Sequence, residues 1–347
     1  MSKPIKHKNL GRTLPLSGKN PGKTLLLRNK RILLTGGAGF IGSALCRRLV
    51  RENTILVFDN YRRNALQYFK QSGVADIEVV QGDILDPVLF KGVVSIFKPQ
   101  IVIHLAAMAG VTDYYQQPVK TLEVNAVGTY NVLQAIKDSA LEKFLYFSTS
   151  EVYGPLVFGA KEDGNTAQGN IKQVRWNYGI SKLAGEAMAF AFGGQYNIPM
   201  TSVRPFNIYG PGQVGEGAIQ IFIRKALKNE TINVTGDGNQ LRAWCFIEDF
   251  IDGVICVLEN KKTDGEIFNL GNPEGTVTIL RLAKDIISYA DSKSKIKLIP
   301  HKGVDIDLRV PNIRKAEEMF GFTPKVMLEE GLKKSIKWYR ETKVNEG

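Results

Sequence analysis

From Arg31 onward, short continuous apolar runs alternate with longer stretches in which apolar residues recur every three or four positions. The runs at 31–35 (RILLT), 55–59 (ILVFD), 77–81 (IEVVQ), 101–106 (IVIHLA), 144–148 (FLYFS) and 200–204 (MTSVR) have strand length, and most show no polar alternation. Such runs are expected where both faces of a parallel sheet are covered. Helical periodicity fills 40–51, 87–97, 118–138 and 178–192, and Asp86–Pro87 supplies a cap followed by proline at the first helical position. The alternation predicts an α/β fold with an open, doubly wound parallel sheet. After Pro205 the rhythm changes. Loops rich in Gly, Asn and Pro separate helical patterns at 215–229, 278–290, 312–320 and 328–341, the last with Leu328, Leu332, Ile336 and Tyr339 on one face. The chain therefore divides into a doubly wound domain over 31–205, with returns to its sheet near 243–270, and a smaller lobe over 206–347. Ligands of such sheets bind at the carboxyl ends of the strands, which puts the cleft between the lobes.

Composition removes several alternatives. The formal charge is +12, but residues 1–31 hold nine Lys/Arg and no acidic residue. Without them 37 basic residues face 34 acidic ones, a net of +3, so the folded body is nearly balanced. Residues 1–30 read as a basic, solvated arm, and a nucleic-acid partner is not expected. No apolar run is long enough to span a bilayer, and no secretory h-region opens the chain. Three cysteines (Cys46, Cys245, Cys256) make no disulfide framework, and no Cys–x–x–Cys or clustered His points to a metal. A cytoplasmic protein is expected. With only His7, His104 and His301, a histidine-centred hydrolase is not.

The strongest chemical signal is RILLTGGAGFIGSAL at 31–45. An apolar strand runs into Gly36, Gly37, Gly39 and Gly42, and a helical pattern opens behind them. Glycines permit the tight turn and close backbone approach, and the helix N-terminus offers free N–H groups to a pyrophosphate. Asp59 ends the second strand, where a carboxylate meets the adenosine ribose hydroxyls and repels a 2′-phosphate. That favours NAD over NADP, although Arg62 and Arg63 follow closely and are able to accommodate the phosphate. GKNPGKT at 18–24 ends like a P-loop, but its spacing is short and no strand precedes it.

Tyr178 and Lys182 lie four apart in NYGISKLAGE, on one face of a helix. An ammonium beside a phenol stabilises phenolate and makes the tyrosine a usable base. The pair follows STSEVYG at 148–154, itself one strand after HLAA at 104–107. With GDILD at 82–86, NAVGT at 125–129, RPFNIYGPG at 204–212, GDGNQLRAW at 236–244 and NLGNP at 269–273, the chain from 31 to about 340 resembles the extended short-chain dehydrogenase/reductase family. This family comprises NAD-dependent sugar epimerases, dehydratases and decarboxylases.

The resemblance implies a Rossmann domain with cofactor contacts at Gly36, Gly39, Phe40, Ile41 and Gly42 from the glycine loop, and Asp59 and Asn60 after the second strand. It adds Asp83 and Ile84 at the adenine, Leu105, Ala106 and Ala107 along the dinucleotide, then Asn125, Pro205, Tyr178 and Lys182. Tyr178 would remove the sugar O4 proton, Lys182 would hold the nicotinamide ribose, and Thr149 would hydrogen-bond near O4. Asn207, Arg242 and Arg309 match positions that bind the substrate or its diphosphate. Members are commonly homodimers that pair helices near 118–138 and 178–192 into a four-helix bundle. Tyr153 and Trp244 read as packing residues, and His104 as a residue within its strand.

Oxidation at C4 gives a 4-keto sugar, from which three outcomes follow. A C6 carboxylate β to the ketone leaves as CO₂, a C5 proton becomes acidic enough for 4,6-elimination, or the ketone is reduced on its other face. Each consumes the reduced cofactor that it formed. Thr149-Ser150-Glu151 is similar to the UDP-glucuronate decarboxylases (UDP-xylose synthases), where Ser and Glu lie beside C5 and C6. LRVPNIRKA at 308–316 and the Arg two residues before Asn-Tyr in RWNYGISK also resemble that group. Simple 4-epimerases usually resemble Ser-Ser-Ala or Ser-Ser-Ser at this point and thymidine-linked dehydratases Thr-Asp-Glu, whereas GDP-mannose dehydratases share Thr-Ser-Glu but differ from LRAWCF at 241–246. Decarboxylation of a nucleotide-linked hexuronate is the expected reaction, ahead of 4-epimerisation and 4,6-dehydration. A cofactor-binding regulatory protein without turnover is the non-enzymatic alternative, opposed by intact Tyr178, Lys182 and Thr149.

Overall fold

The computed structural model describes residues 27–68, 77–300, 303–304 and 306–342, so most of the basic arm over 1–30 lies outside the described residues. The first strands, β1 (Arg31–Thr35), β2 (Thr54–Asp59), β3 (Glu78–Gln81), β4 (Ile101–His104) and β5 (Lys143–Phe147), are separated by α1 (Phe40–Leu49), α2 (Pro87–Phe97), α3 (Val111–Gln116), α4 (Pro118–Leu122) and α5 (Gly128–Ile136). Next come β6 (Leu156–Ala160), α6 (Asn177–Tyr196), β7 (Met200–Pro205), β8 (Ile208–Tyr209), α7 (Ala218–Leu227), β9 (Ile232–Thr235), β10 (Leu241–Ala243) and β11 (Cys245–Phe246). The chain closes with α8 (Ile247–Glu259), β12 (Ile267–Leu270), β13 (Thr276–Thr278), α9 (Ile279–Tyr289), β14 (Ile296–Ile299), β15 (Leu308–Pro311), α10 (Arg314–Phe320) and α11 (Leu328–Glu341).

Seven parallel strands form the main sheet in the order β12-β7-β5-β4-β1-β2-β3. The order reverses at β1, and there the crevice opens. The continuous apolar runs have a direct cause. Ile32, Leu34, Val57, Ile103 and Leu145 point into one core, while Leu33, Leu56, Phe58, Val102 and Phe144 point into the other. Each face is covered by helices, so neither parity of the strand can be polar. The sheet's last strand, β12, enters after α8, far along the chain from β7, its neighbour.

A second sheet has the order β13-β10-β15-β6. Its parallel β10–β15 register sets Arg242 directly beside Arg309, so cross-strand neighbours place both guanidinium groups on one face. Strand β6 lies at the edge of this sheet and comes from the segment 155–177, which carries no strand pattern in the sequence.

The expected single helix over 118–138 is three pieces, because a π-helical turn at Glu123–Val127 separates α4 from α5. Helix α6 is fixed to β7 by a buried ion pair. Arg204 donates to Glu186 at 2.7 Å with both side chains 3% exposed, and Ser202 donates to the same carboxylate at 2.5 Å. Its hydrogen bonds are met, as a buried pair requires. Among the described residues no helix is long and apolar enough to cross a membrane.

Candidate active site

A cleft of about 620 Å³ runs along the carboxyl ends of β2, β1, β4 and β5. Gly36, Gly39, Phe40, Ile41 and Gly42 form its floor, and Asp59, Asn60, Asp83 and Ile84 form one end. Leu105, Ala106, Ala107, Thr149, Tyr178, Lys182, Pro205 and Asn207 line the rest. Gly36 has φ +71°, and a Cβ there would lie 2.5 Å from the Ala106 nitrogen. On Gly42 a Cβ would lie 2.6 Å from the Gly37 Cα, so the loop folds tightly only with glycine at both places. Gly39 caps α1 without a side-chain hydrogen bond, leaving the first-turn N–H groups of the helix to a ligand. The Asp59 carboxylate accepts from Ala38 N at 2.9 Å and Tyr61 N at 2.7 Å. Burial pushes its carboxyl up, against these two bonds. The donor set, the glycine cradle and the partnerless buried Ser148 hydroxyl on the cleft wall fit a dinucleotide.

Asn125 does not line the cleft. It sits in the π-helical turn, where its amide accepts from Met108 N at 2.7 Å and donates to Met108 O and to the Ser181 hydroxyl. An extra residue in the turn frees a side chain to reach the loop after β4. Behind it, His104 hydrogen-bonds the Thr35 and Thr129 hydroxyls at 2.6 and 3.0 Å. Burial, assisted by Lys182, keeps the imidazole neutral.

At the other end of the cleft, β5 runs into a 3₁₀ turn at Ser150–Tyr153 that Thr149 caps by accepting from Glu151 N at 3.2 Å. The Thr149 hydroxyl faces the Tyr178 phenol and pulls its pKa down. Tyr178 departs from the expected depression: burial and the Glu151 carboxylate push its phenol up, and Thr149, Arg309 and Arg63 offset this only in part. Lys182 is buried, its nitrogen 4.3 Å from the centre of the Tyr146 ring, and burial lowers its ammonium to about 7 despite Glu186. Tyr146 is the ring on which this ammonium rests, and its hydroxyl donates to Lys182 O at 3.1 Å.

Glu151 lies between two arginines. Arg175 donates to both carboxylate oxygens at 2.6 and 3.1 Å, and Arg309 approaches at 3.3 Å. Burial raises the Glu151 carboxyl, but Arg309 and Arg175 together outweigh it and hold the group below the usual range. Arg309, expected at the substrate, thus points its guanidinium at Glu151 and at Gly154 O, 3.1 Å away. Arg242, beside it in the ladder, donates to Leu241 O at 3.0 Å, and Asn207 donates to Ala243 O at 3.0 Å. Ser150 is buried on the same turn as Glu151. In the sequence Arg175 is marked only by its place two residues before Asn-Tyr in RWNYGISK. It is buried, and its guanidinium stacks 5.2 Å from Tyr114 and 5.6 Å from Trp176. Gln168 completes the setting by donating to Glu151 O at 3.1 Å, which ties the segment 155–177 to the turn.

Residues 32–271 match the model of the NAD dependent epimerase/dehydratase family. A UDP-N-acetyl-alpha-D-glucosaminuronate decarboxylase of Bacillus cytotoxicus is 36% identical over 322 residues, covering 90% of this chain and 98% of its own. UDP-glucuronic acid decarboxylase 6 of Arabidopsis thaliana is 36% identical over 312 residues, 88% of this chain and 87% of its own. Among solved structures, the UDP-glucuronic acid 4-epimerase from Bacillus cereus, in complex with UDP-glucuronic acid and NAD, superposes with a TM-score of 0.82. It is 27% identical and covers 90% of this chain and 99% of its own. In sequence and in fold, the chain belongs to the NAD dependent epimerase/dehydratase family.

Proposed function

We propose that this chain decarboxylates a UDP-hexuronate through a 4-keto intermediate, with NAD as a cofactor that is regenerated in each cycle. The observation that carries the reading is the Arg175–Glu151–Arg309 cluster beside Tyr178, which bears one net positive charge in a buried setting. A sugar without a carboxylate has no use for it. A hexuronate brings the anion that balances it, and the guanidinium fork suits a carboxylate.

The residues divide the work as follows. Tyr178 takes the proton from O4, and the Thr149 hydroxyl, which accepts from Glu151 N, has its own proton to donate to the phenol oxygen. Lys182 brings positive charge to the same end of the cleft. Bound NAD, on the glycine loop and Asp59, supplies the hydride acceptor at C4 and later the donor. With a ketone at C4, the bond from C5 to the carboxyl carbon breaks and its electron pair enters the enolate. Arg175 and Arg309 orient the departing carboxylate, while Glu151 repels it and keeps both guanidinium groups aimed. A proton then adds to C5 in place of the carboxyl group, and the products are CO₂ and a UDP-pentose with no net oxidation.

NAD rather than NADP is supported by Asp59 at the end of β2 and by Arg62 and Arg63, whose guanidinium groups are engaged by Asp113. A homodimer is supported by the exposed apolar residues Val119, Leu122, Val127 and Tyr130 along α4 to α5. Free thiols at Cys46, Cys245 and Cys256 support a reducing, cytoplasmic setting. The two decarboxylase relatives named above act on sugars that differ at C2 and share the C6 carboxylate. Incubation with NAD and each of the two hexuronates, with the nucleotide product identified by mass, tests the reading. Loss of CO₂ from either is expected. Epimerisation with the carboxylate retained would replace it with the activity of the Bacillus cereus neighbour.

A further inference from the structure

A group of buried polar side chains lies behind the cleft, and the chemistry proposed above uses none of it. Thr35 at the end of β1, His104 at the end of β4, Thr129 on α5 and Tyr146 on β5 are fully buried. His104 hydrogen-bonds the Thr35 and Thr129 hydroxyls, and the Thr129 hydroxyl donates to Asn125 O at 2.6 Å. The imidazole lies 5.8 Å from the Tyr146 ring, centre to centre, and the Thr129 hydroxyl faces the Tyr146 phenol. Buried polar groups of this kind fix orientation where apolar side chains would only fill space.

Helix α6 holds Tyr146 from the other side. Gly185 and Glu186 follow Lys182 by three and four residues, so the three share one helix face, and all are buried. The Tyr146 hydroxyl donates to Lys182 O at 3.1 Å and lies where a side chain on Gly185 would be. A Cβ there would overlap the hydroxyl and lie 3.0 Å from the ring carbon that bears it. With glycine at 185 the ring slides under α6, and Lys182 Nζ comes to 4.3 Å from its centre. Glu186 also faces the ammonium, but its carboxylate is taken by Arg204 and Ser202. In the resting site His104, Tyr146 and Tyr178 are held uncharged around it, chiefly by burial.

We propose that Tyr146 is a positioning residue whose ring, seated by Gly185 and the His104–Thr129 pair, holds the Lys182 ammonium in the cleft that Tyr178 lines. This rests on the reading of Tyr178 and Lys182 as the pair that oxidises the sugar. A lysine stem is flexible, and a ring face attracts a buried ammonium without cancelling its charge. A carboxylate in the same place would neutralise the charge that favours phenolate.

Denaturant titrations of the full-length protein test the seat apart from the chemistry. In the double-mutant cycle of Tyr146→Leu and Lys182→Met, the coupling is expected to change the unfolding equilibrium constant about tenfold more at pH 6 than at pH 9. The ammonium, lowered to about 7, is charged at the first pH and neutral at the second. A packing contact alone would couple equally at both. On UDP-glucuronate, Tyr146→Leu should lose about 10²-fold in kcat with KM within about threefold, while Tyr146→Phe, which keeps the ring, should stay within about threefold of wild type. Gly185→Ala should show the same loss, restored in part by adding Tyr146→Phe, which gives the methyl group room. If Tyr146→Leu does not fold, Gly185→Ala takes its place in the cycle. Equal coupling at the two pH values, or turnover at the wild-type rate in Tyr146→Leu or Gly185→Ala, overturns the seat. A wild-type protein that converts no UDP-sugar overturns the reading beneath it, while the cycle still decides the seat.

Discussion

Replacing Glu151 with Gln keeps the shape of the side chain and removes one negative charge from between two guanidinium groups. The Arg175 and Arg309 side chains are 10% and 4% exposed, so water cannot take the carboxylate's place. Removing one partner of a buried pair costs about 3–5 kcal/mol, and because the Gln carbonyl still accepts one hydrogen bond the expected loss is about 2–3 kcal/mol. The turnover number on UDP-glucuronate should fall about 10²–10³-fold, since the cluster that aims at C5 and C6 loses its central group. A second effect follows from the charge alone. The Glu151 carboxylate pushes the Tyr178 phenol up. Its removal lets Tyr178 ionise at lower pH, so the rising limb of the pH–rate profile moves toward acid. The assay is the steady-state rate of UDP-pentose formation from neutral to alkaline pH, alongside thermal unfolding. An unchanged turnover number with an unmoved limb would refute both the role of Glu151 and its coupling to Tyr178.

Tyr178→Phe should lower turnover about 10³–10⁴-fold while NAD binding, measured by titration, persists. Gly36→Ala forces a Cβ to 2.5 Å from the Ala106 nitrogen at φ +71°, and should abolish NAD binding in the same titration. Lys182→Met should lose activity yet gain stability. The ammonium has a folded pKa of about 7 against an ordinary 10.5, so the unfolded chain holds the extra proton and wild-type stability rises with pH through that window. At pH 7 the variant should be more stable by on the order of 4 kcal/mol, with the gap closing as pH approaches 10.5 in parallel denaturant titrations. Glu186→Gln leaves Arg204 buried without its anion and should cost about 3–5 kcal/mol in the same titrations; an unchanged midpoint would remove this pair from the anchoring of α6.

The legibility of this chain follows the range of its interactions. Strands covered on both faces cannot alternate, so β1, β2, β4 and β5 show as continuous apolar runs to within a residue or two. The glycine loop is a local device, and its strand–glycine–helix order is written in consecutive residues. The sequence read 118–138 as one helix, because α4, the π-helical turn and α5 follow one another with no breaking residue between them, and so it hid how Asn125 reaches the loop after β4. Segment 155–177 read as a loop, since β6 is an edge strand whose partner β15 lies far along the chain. Gln168 and Arg175 in that segment hold Glu151 through contacts that have no periodic trace. The Tyr178–Lys182 spacing fixed their shared face. It gave no sign that the ammonium rests on Tyr146, or that a carboxylate raises the phenol, because both depend on neighbours from other elements.

The most direct test of a carboxylate-handling site beside a sugar-oxidising tyrosine uses UDP-glucuronate labelled in its carboxyl carbon. The purified protein with NAD should release the label as CO₂ and leave a UDP-pentose lighter by that mass. Label that stays in the nucleotide sugar, with inversion at C4 or with no change, would contradict it.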